Sequence, residues 1–167
     1  MVLEFRPVLS DGDIGGVACM ADEIWHEYWP GIIGSAQTDY MVEAFQSASA
    51  ITAAIREEGY EYWVLEAEGR RVGYAAVRVE APDARLFISK VYLFAAERGR
   101  GFASEAIAFF EALCHGRGLT TMYLSVNKHN ELALRAYRAK GFAVVGASVK
   151  GIGQGFFLDD YLMEKVL

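Results

Sequence analysis

Hydrophobic and polar positions follow two different periods along this chain. Alternating or continuous runs of apolar, β-branched and aromatic residues predict strands, whereas apolar residues recurring every three or four positions predict helices. The predicted strands are Val2–Val8, Glu61–Ala67, Arg71–Val79, Leu86–Phe94, Met122–Val126, Phe142–Val149 and Phe156–Glu164. The first predicted helix is capped by Ser10, Asp11 or Asp13 and ends near Trp25 or His26. A pair of helices is predicted within Thr38–Glu58. Two further helices are predicted at Phe102–Arg117 and Glu131–Lys140. Strand pairs followed by single helices indicate an α/β chain with a mixed, α+β type of sheet of about seven strands rather than a doubly wound one.

Short polar and glycine-containing segments join these elements. The residues Glu68-Gly69-Arg70 predict the turn of a hairpin, Trp29–Gly34 interrupts the helical pattern, and Gly151–Gly155 is expected to connect the last two strands. No repeat or linker divides the 167 residues, of which 53% are hydrophobic. We therefore expect a single domain spanning residues 1–167.

Composition excludes several classes of partner. A formal net charge of −6 argues against nucleic acid as a ligand. The start of the chain, Met1–Arg6, has the pattern of a strand rather than of a signal peptide, and no segment has the length and hydropathy of a membrane span. The two cysteines, Cys19 and Cys114, do not make a disulfide framework, so a reducing, cytoplasmic location is expected. The sequence leaves open whether the chain is a monomer or a homodimer.

The segment Arg98-Gly99-Arg100-Gly101-Phe102-Ala103 joins a predicted strand to a predicted helix. Two glycines at such a turn allow several backbone N–H groups to point at one spot, and the helix start adds its unpaired donors and the positive end of its dipole. This arrangement is typical of a phosphate or pyrophosphate site. The alternative interpretation is a surface turn in which the glycines only relieve backbone strain.

Three kinds of phosphate-binding loop carry glycines at a turn from a strand to a helix, and their further requirements separate them. A P-loop requires Gly-Lys-Ser/Thr, but Gly101 precedes Phe102. A dinucleotide fold requires G-x-G-x-x-G and an acidic residue after the next strand, but Ser104 replaces the third glycine and Asn127 replaces the acid. The coenzyme A pattern Q/R-x-x-G-x-G/A is matched at every fixed position by Arg98, Gly101 and Ala103.

A second motif, downstream of the loop, supports the coenzyme A interpretation. It reads Asn130-x-x-Ala133-x-x-x-Tyr137-x-x-x-Gly141-Phe142. With both motifs, residues 89–142 resemble the GNAT superfamily of acetyl-CoA-dependent N-acetyltransferases. One departure is Ala95-Ala96-Glu97, which stands where that family commonly has a proline, an acid and an aromatic residue.

The resemblance implies a GNAT acyltransferase fold, with about seven strands and helices on both faces, and acetyl-CoA as cosubstrate without a metal. It implies that a backbone N–H at or next to Leu93 binds the oxyanion and that Tyr137 protonates the coenzyme sulfur. Tyr137 also has a purely structural interpretation, because an aromatic residue at this spacing can simply pack the core. The residues implied for coenzyme binding are Val91, Tyr92, Leu93, Arg98, Gly99, Arg100, Gly101, Phe102, Ala103, Ser104, Asn130 and Tyr137.

The acceptor side is less defined by the sequence. His26 or Glu27 is a candidate base, since His titrates near pH 7 and Glu acts through water or holds an ammonium group. Tyr28, Trp29 and Tyr40 are candidate substrate contacts, Tyr40 within a polar and aromatic cluster that also includes Gln37, Met41, Phe45 and Gln46. Lys90 interrupts an apolar strand and is expected either to pair with Asp159 or Asp160 or to contribute to acceptor binding.

These observations predict an N-acetyltransferase that moves an acetyl group from acetyl-CoA to a primary amine by direct attack in a ternary complex. The amine belongs to a small molecule or to a peptide or protein. The alternative hypothesis is a catalytically silent acyl-CoA-binding sensor or interaction module, and a nicotinamide-dependent oxidoreductase is the weakest interpretation.

Overall fold

The computed structural model describes residues 2–167, so Met1 lies outside the described residues. Within that range the strands are β1 (Glu4–Pro7), β2 (Tyr60–Ala67), β3 (Arg70–Glu80), β4 (Arg85–Leu93), β5 (Thr121–Asn127), β6 (Ala143–Gly153) and β7 (Phe156–Val166). The helices are α1 (Asp11–Tyr28), α2 (Pro30–Ile33), α3 (Ser35–Phe45), α4 (Ala48–Glu57), α5 (Phe102–Arg117) and α6 (Glu131–Ala139), with 3₁₀ turns at Ala81–Asp83 and Ala95–Glu97. The strands form a sheet in the order β1-β2-β3-β4-β5-β7-β6, with both parallel and antiparallel neighbours, which confirms the predicted mixed sheet.

The chain divides into two compact units. One contains the chain up to Arg78 and Lys90–Ala108, and the other contains Val79–Ser89 and Phe109–Leu167. The glycine loop therefore belongs to the first unit, and the motif that begins at Asn130 belongs to the second.

The first unit contains an antiparallel β1-β2-β3 arrangement. The β2–β3 turn consists of Glu68 and Gly69, which have φ angles of 52° and 76°. Positive φ at both central residues defines the tight hairpin turn that matches the twist of the strands. Arg70 already belongs to β3, so the predicted turn is one residue too long.

Helix α1 begins with a capping box. The Ser10 hydroxyl accepts from the Asp13 N–H at 3.1 Å, and the Asp13 carboxylate accepts from the backbone N–H groups of Leu9 and Ser10. These bonds lower the pKa of Asp13 to about 2. The helix continues past the predicted end to Tyr28. No helix within residues 2–167 combines the length and hydropathy needed to cross a membrane.

The prediction that Trp29–Gly34 lacks helical structure is wrong for four of its residues. Pro30–Ile33 forms α2, a single turn with proline at its first position, where the missing N–H would have no partner in any case. Gly34 ends this turn with a φ of 86° and precedes α3. The proline and the glycine therefore start and stop a short helix rather than exclude one.

The second unit contains β5 and β6 on either side of β7, both antiparallel to it. The predicted Gly151–Gly155 connection is too long, because β6 extends to Gly153 with a register shift between Gly151 and Gly153. The turn is Gln154–Gly155, with φ angles of 56° and 78°. Glycine tolerates the bulge and the turn, so a glycine-rich segment that resembles a loop is mostly strand.

Candidate functional site

The glycine loop follows β4 and leaves its backbone uncrowded. β4 ends at Leu93 and α5 begins at Phe102. Gly99 and Gly101 have φ angles of 76° and 86°, in the left-handed region that favours glycine. A Cβ at either glycine would meet no other atom within 4 Å. The loop therefore has room for a ligand against its backbone N–H groups.

The first turn of α5 supplies more donors beside this loop. The Phe102 side chain is 1% exposed, which anchors the helix start in the core. The N–H of Glu105 donates to the Gly101 carbonyl at 3.1 Å. The N–H groups of Phe102, Ala103 and Ser104 precede that bond, at the positive end of the helix dipole. Residues 99–104 thus combine uncrowded glycines with a helix N-terminus, two features on which an anion cradle depends.

Both arginines of the loop are oriented by neighbouring groups. Arg98 donates from Nη2 to the Leu93 carbonyl at 3.1 Å, and its Cζ lies 4.6 Å from the centre of the Tyr28 ring. Nη1 of Arg100 lies 2.8 Å from Oε2 of Glu97. A guanidinium carries its five N–H donors in a rigid fork, so these contacts fix the direction of each group.

Glu97 and Arg70 form an ion pair that was not predicted from the sequence. Nε and Nη2 of Arg70 donate to the two carboxylate oxygens of Glu97 at 3.0 and 2.9 Å, and Glu97 is 9% exposed. The hydrogen bonds from Arg70 lower the pKa of the Glu97 carboxyl and raise that of Arg70. The pair ties the start of β3 to the loop. Its one signal in the sequence is an acid at 97, where the resemblance expects an aromatic residue.

β4, the strand before the loop, pairs with β5 at its start. β4 runs parallel to β5 in the register of Arg85–Phe87 with Thr121–Tyr123. Ile88–Leu93, which includes the predicted coenzyme contacts Val91, Tyr92 and Leu93, lies beyond the parallel register that the structure describes.

β3 approaches the end of β4 very closely. The N–H of Phe94 donates to the Val72 carbonyl at 3.0 Å. A Cβ placed on Gly73 would lie 2.0 Å from the Tyr92 carbonyl oxygen and 3.0 Å from Cα of Leu93. Only glycine fits at position 73. Because Gly73 has no Cβ, the backbone of β4 can lie this close to β3.

His26 lies between two hydrogen-bond acceptors. Its Nδ1 is 2.7 Å from the Asp22 carbonyl oxygen, and its Nε2 is 2.7 Å from Oδ1 of Asp39. Both contacts are satisfied at once when both ring nitrogens carry a proton. They raise the pKa of His26 above 6.5, the backbone contact being the larger cause. An imidazolium in this position has no lone pair with which to accept a proton, which disfavours His26 as a base.

Glu27 connects the end of α1 to the segment before the loop. Its Oε2 accepts from the N–H of Ala95 at 3.4 Å, and the residue is exposed. One carboxylate oxygen therefore faces the turn that follows β4. The structure thus brings Glu27, a predicted acceptor-side residue, next to the segment that precedes the glycine loop.

The aromatic residues at the end of α1 pack against one another and against β4. The Trp25 and Trp29 rings are 5.3 Å apart, Tyr28 meets Trp29 edge-on at 5.2 Å, and Trp25 meets Tyr92 edge-on at 5.4 Å. Trp29 is 8% exposed, and its indole N–H has no hydrogen-bond partner among the described residues. Of the predicted substrate contacts, Tyr28 and Trp29 are thus close together and connected to β4 through Trp25.

The predicted cluster on α3 separates into two environments. Tyr40 meets Phe45 edge-on at 6.3 Å, and Nε2 of Gln37 lies 3.9 Å from the Met41 sulfur. Gln46 belongs to a buried network instead: its Oε1 accepts from the Tyr74 hydroxyl at 3.0 Å.

The Tyr74 hydroxyl is also the acceptor for a tryptophan. It accepts from the Trp25 indole N–H at 3.1 Å, and it donates to Oε1 of Gln46. Tyr74 is fully buried, which raises the pKa of its hydroxyl well above 10. This network holds α1 and the α3–α4 connection on β3, and sequence spacing gave no indication of it.

Lys90 lies against two tyrosine rings. Its Nζ is 5.5 Å from the centre of the Tyr62 ring and 5.7 Å from that of Tyr60. Burial lowers the pKa of Lys90 to about 8, and the negative charge of Glu58 partly opposes that shift. Asp159, one of the partners expected for Lys90, lies 2.7 Å from Nζ of Lys128.

The second motif lies on and around α6, in the second unit. Asn130 is 7% exposed and caps the helix, its Oδ1 accepting from the Ala133 N–H at 3.3 Å. Tyr137 is half-buried and meets Phe142 edge-on at 5.6 Å. The Tyr137 carbonyl accepts from the Phe142 N–H at 3.1 Å. Phe142 of the motif therefore packs against the ring of Tyr137 and also bonds to its backbone.

Comparison with protein families decides which of the candidate families this chain represents. The model of the Acetyltransferase (GNAT) family matches residues 20–142, which is more than half of the chain. The chain belongs to the GNAT acetyltransferase family. The match includes both GNAT motifs, the glycine loop and the Asn130–Phe142 segment.

Two curated relatives share part of their length with this GNAT chain. An uncharacterized N-acetyltransferase of Mycobacterium tuberculosis is 31% identical over 100 residues, which are 60% of this chain and 63% of the relative. The streptothricin acetyltransferase of Streptomyces lavendulae is 32% identical over 80 residues, 48% of this chain and 42% of that protein. The chain thus spans less than two thirds of the length of these relatives.

A solved structure shows the same GNAT fold over the whole chain. The PaiA N-acetyltransferase of Thermoplasma acidophilum, in complex with coenzyme A, superposes with a TM-score of 0.79 at 18% sequence identity. The superposition covers 100% of both chains. The predicted GNAT fold is therefore confirmed.

Proposed function

We propose that this protein is an N-acetyltransferase that moves an acetyl group from acetyl-CoA to the primary amine of a small molecule or a peptide. Transfer occurs by direct attack of the amine while both substrates are bound. The observation that carries the proposal is the uncrowded glycine loop at the start of α5, in a chain of the GNAT family.

The loop is suited to the pyrophosphate of the coenzyme. Gly99 and Gly101 leave open space, and the three N–H groups at the start of α5 supply donors and a positive dipole end. Arg98 and Arg100 add two guanidinium groups of fixed direction. Acetyl-CoA, when bound, supplies the acetyl group as an activated thioester.

The end of β4 is suited to bind extended polar groups. Val91–Leu93 lies beyond the parallel register with β5, so we assign its backbone to the amide groups of the pantetheine arm. The N–H of Leu93 is assigned to the oxyanion that forms at the thioester carbonyl. A donor fixed by strand geometry stabilises such a charge without reorganising during the reaction.

Two side chains of the second motif complete the coenzyme assignment. Asn130 uses its carbonyl oxygen to cap α6, and we assign its side-chain amide to the pantetheine arm. The Tyr137 hydroxyl is assigned as the acid that protonates the leaving sulfur. Its ring packs edge-on against Phe142, a contact that supports a defined position for the hydroxyl.

The acceptor amine is assigned to the end of α1. The exposed Glu27 carboxylate offers a negative charge for an ammonium group, and Tyr28 and Trp29 offer an aromatic wall for the body of the substrate. Tyr40 is proposed to extend this wall from α3. The assignment fits a primary amine carried on an apolar body of modest size.

Titration and transfer assays test the proposal together. Calorimetry should show binding of acetyl-CoA and none of NAD, and thiol release should increase when a suitable amine is added. Binding of acetyl-CoA without transfer to any amine would instead indicate a sensor or interaction module. Binding of NAD in place of acetyl-CoA would contradict the proposal.

The identity of the acceptor requires a panel. It should contain simple primary amines, polyamines, amino acids, peptides with free amino termini, and streptothricin, because one relative is named for acetylating that compound. Product mass should increase by one acetyl group on nitrogen. We expect the best acceptors to be amines with an aromatic or aliphatic body.

A further inference from the structure

The acceptor amine must lose a proton before it attacks, because an alkyl ammonium has a pKa of about 10.4. We propose that Lys90, in its neutral form, is the general base that takes this proton at Nζ. The inference rests on the proposed function. It assigns the role of base to a residue other than His26 and Glu27, the two candidates at the end of α1.

Strand geometry places Lys90 on the acceptor side. Side chains two residues apart on a strand share a face, so Lys90 and Tyr92 point to the same side of β4. Tyr92 on that side contacts Trp25, which contacts Trp29. Lys90 therefore lies on the face that carries the aromatic residues assigned to the acceptor, and it directly precedes the backbone segment assigned to the coenzyme.

The surroundings of Nζ favour an uncharged amine. The rings of Tyr60 and Tyr62 lie beside it, and burial lowers the pKa of Lys90 to about 8. Arg78 lies over the Tyr60 ring with Cζ 4.9 Å from its centre, which adds a positive charge, whereas Glu58 favours the ammonium form. Burial raises the pKa of Tyr62, so its hydroxyl stays protonated. A large fraction of Lys90 is consequently neutral near pH 8.

The groups at the end of α1 are already engaged. Both nitrogens of His26 lie against acceptors, and these contacts raise its pKa, which favours the imidazolium form over a free base. Glu27 is suited to hold the ammonium group by charge. Lys128 differs from Lys90 in this respect: the hydrogen bond from Lys128 to Asp159 raises its pKa, whereas burial lowers the pKa of Lys90.

The proposed step conserves protons and charge. The acceptor ammonium gives one proton to Nζ of Lys90, which becomes an ammonium, and the amine regains its lone pair. The amine nitrogen then bonds to the acetyl carbon, the carbon–sulfur bond breaks, and the sulfur leaves as a thiol with a proton from Tyr137. Water accepts the proton from Lys90 after the reaction, and the amide product loses its second proton to restore Tyr137.

Two substitutions at Lys90 separate a base from a fixed positive charge. Lys90→Met removes both properties, and Lys90→Arg keeps the charge but not the basic nitrogen. Both should lower kcat/KM at pH 7.5 by about a hundredfold or more and leave the affinity for acetyl-CoA unchanged. Lys150→Met, on an exposed position of β6, is the control and should match the wild type. Wild-type turnover in Lys90→Arg would overturn the inference.

The pH profile gives a readout that loss of packing would not move. In the wild type, kcat/KM should rise through a group that titrates near pH 8. In both Lys90 variants that limb should move towards about 10.4, the pKa of the acceptor amine itself. An unchanged limb near pH 8 in Lys90→Met would contradict the role of Lys90.

A measurement on the wild type alone covers the case in which the variants fold poorly. Deprotonation of an ammonium does not change the number of charges, so an organic cosolvent should leave the midpoint near pH 8 almost unmoved. A carboxylic acid creates charge when it ionises, so its midpoint would rise in cosolvent. A rising midpoint, or an acidic limb near pH 4–5, would assign the base to a carboxylate and overturn the inference.

The outcomes distinguish this inference from the function on which it rests. A wild-type protein that transfers acetyl groups, together with Lys90 variants of unchanged rate and profile, would remove Lys90 and leave the N-acetyltransferase in place. A wild-type protein that transfers no acetyl group to any amine would remove both.

Discussion

Nε2 of His26 lies 2.7 Å from Oδ1 of Asp39, so a residue near the end of α1 is bound to a residue in the middle of α3. The other ring nitrogen lies 2.7 Å from the Asp22 carbonyl oxygen. The two contacts together favour the imidazolium form and raise the pKa of His26. His26 is thereby a link between two helices rather than a free base.

Asp39→Asn should lower the pKa of His26 towards its ordinary value of about 6.5. The carboxylate favours the charged ring, and an amide at the same position does so much less. An NMR titration of the His26 ring protons measures the change directly. Glu43→Gln, an exposed position on the same helix, is the control and should leave that titration unmoved. An Asp39→Asn protein with a wild-type titration would show that Asp39 is not the partner in solution.

The same contact makes stability depend on pH. A raised pKa in the folded state means that His26 contributes its stabilisation fully below the pKa of the unfolded chain, about 6.5. That contribution is lost as the pH rises through the folded-state value. Urea unfolding between pH 5 and pH 9 should show a smaller loss of stability for Asp39→Asn than for the wild type.

Gly101→Asp should strongly weaken acetyl-CoA binding, because it adds a Cβ and a negative charge where the backbone donors are uncrowded. The residue also has a positive φ of 86°, so strain alone must be controlled. Gly155→Asp serves this purpose: Gly155 has a φ of 78° and equally open space, in the β6–β7 turn. Calorimetry on both variants should show weak binding for the first and wild-type binding for the second. Equal affinities in folded proteins would exclude the loop from the coenzyme site.

Tyr137→Phe should lower kcat by about a hundredfold while changing the KM for acetyl-CoA little, because a proton donor acts mainly in the transition state. The ring contact with Phe142 survives the substitution, so folding should be preserved. Tyr161→Phe, a half-buried tyrosine on β7, is the matched control. Steady-state rates with a good amine acceptor measure both. A rate within about twofold of the wild type would leave Tyr137 with the packing role alone.

Local patterns explain which parts of this molecule could be predicted. The glycine loop, the helix after it and the tight turn at Glu68–Gly69 depend on residues adjacent in sequence, and their predicted positions agree with the structure to within one residue. The partners of charged and polar side chains depend on the packing of distant segments. Arg70 and Glu97 are 27 residues apart, and Trp25 and Tyr74 are 49 apart, so no local spacing indicated either contact. The proposed acceptor side consists of such contacts and is accordingly the part that the sequence predicts least.

Gly73 determines how closely β3 approaches the end of β4. A Cβ at this position would lie 2.0 Å from the Tyr92 carbonyl oxygen, a distance that real structures do not tolerate, and the neighbouring atoms belong to the backbone of β4. Gly73→Ala must therefore move β4 away from β3 and stretch the bond between the Phe94 N–H and the Val72 carbonyl. Overpacking of this kind costs about 1–3 kcal/mol or more.

The test compares two alanine substitutions at glycines with negative φ. Gly31→Ala lies in α2 with nothing within 4 Å of the new Cβ, and we expect its free energy of unfolding to stay within about 0.5 kcal/mol of the wild type. Gly73→Ala should be clearly less stable in urea unfolding. Because the displaced strand carries Leu93, Gly73→Ala should also bind acetyl-CoA more weakly under conditions where it remains folded. Equal stability and affinity of the two variants would mean that β3 and β4 have room for a side chain at 73, and that this close approach does not position the backbone of Leu93.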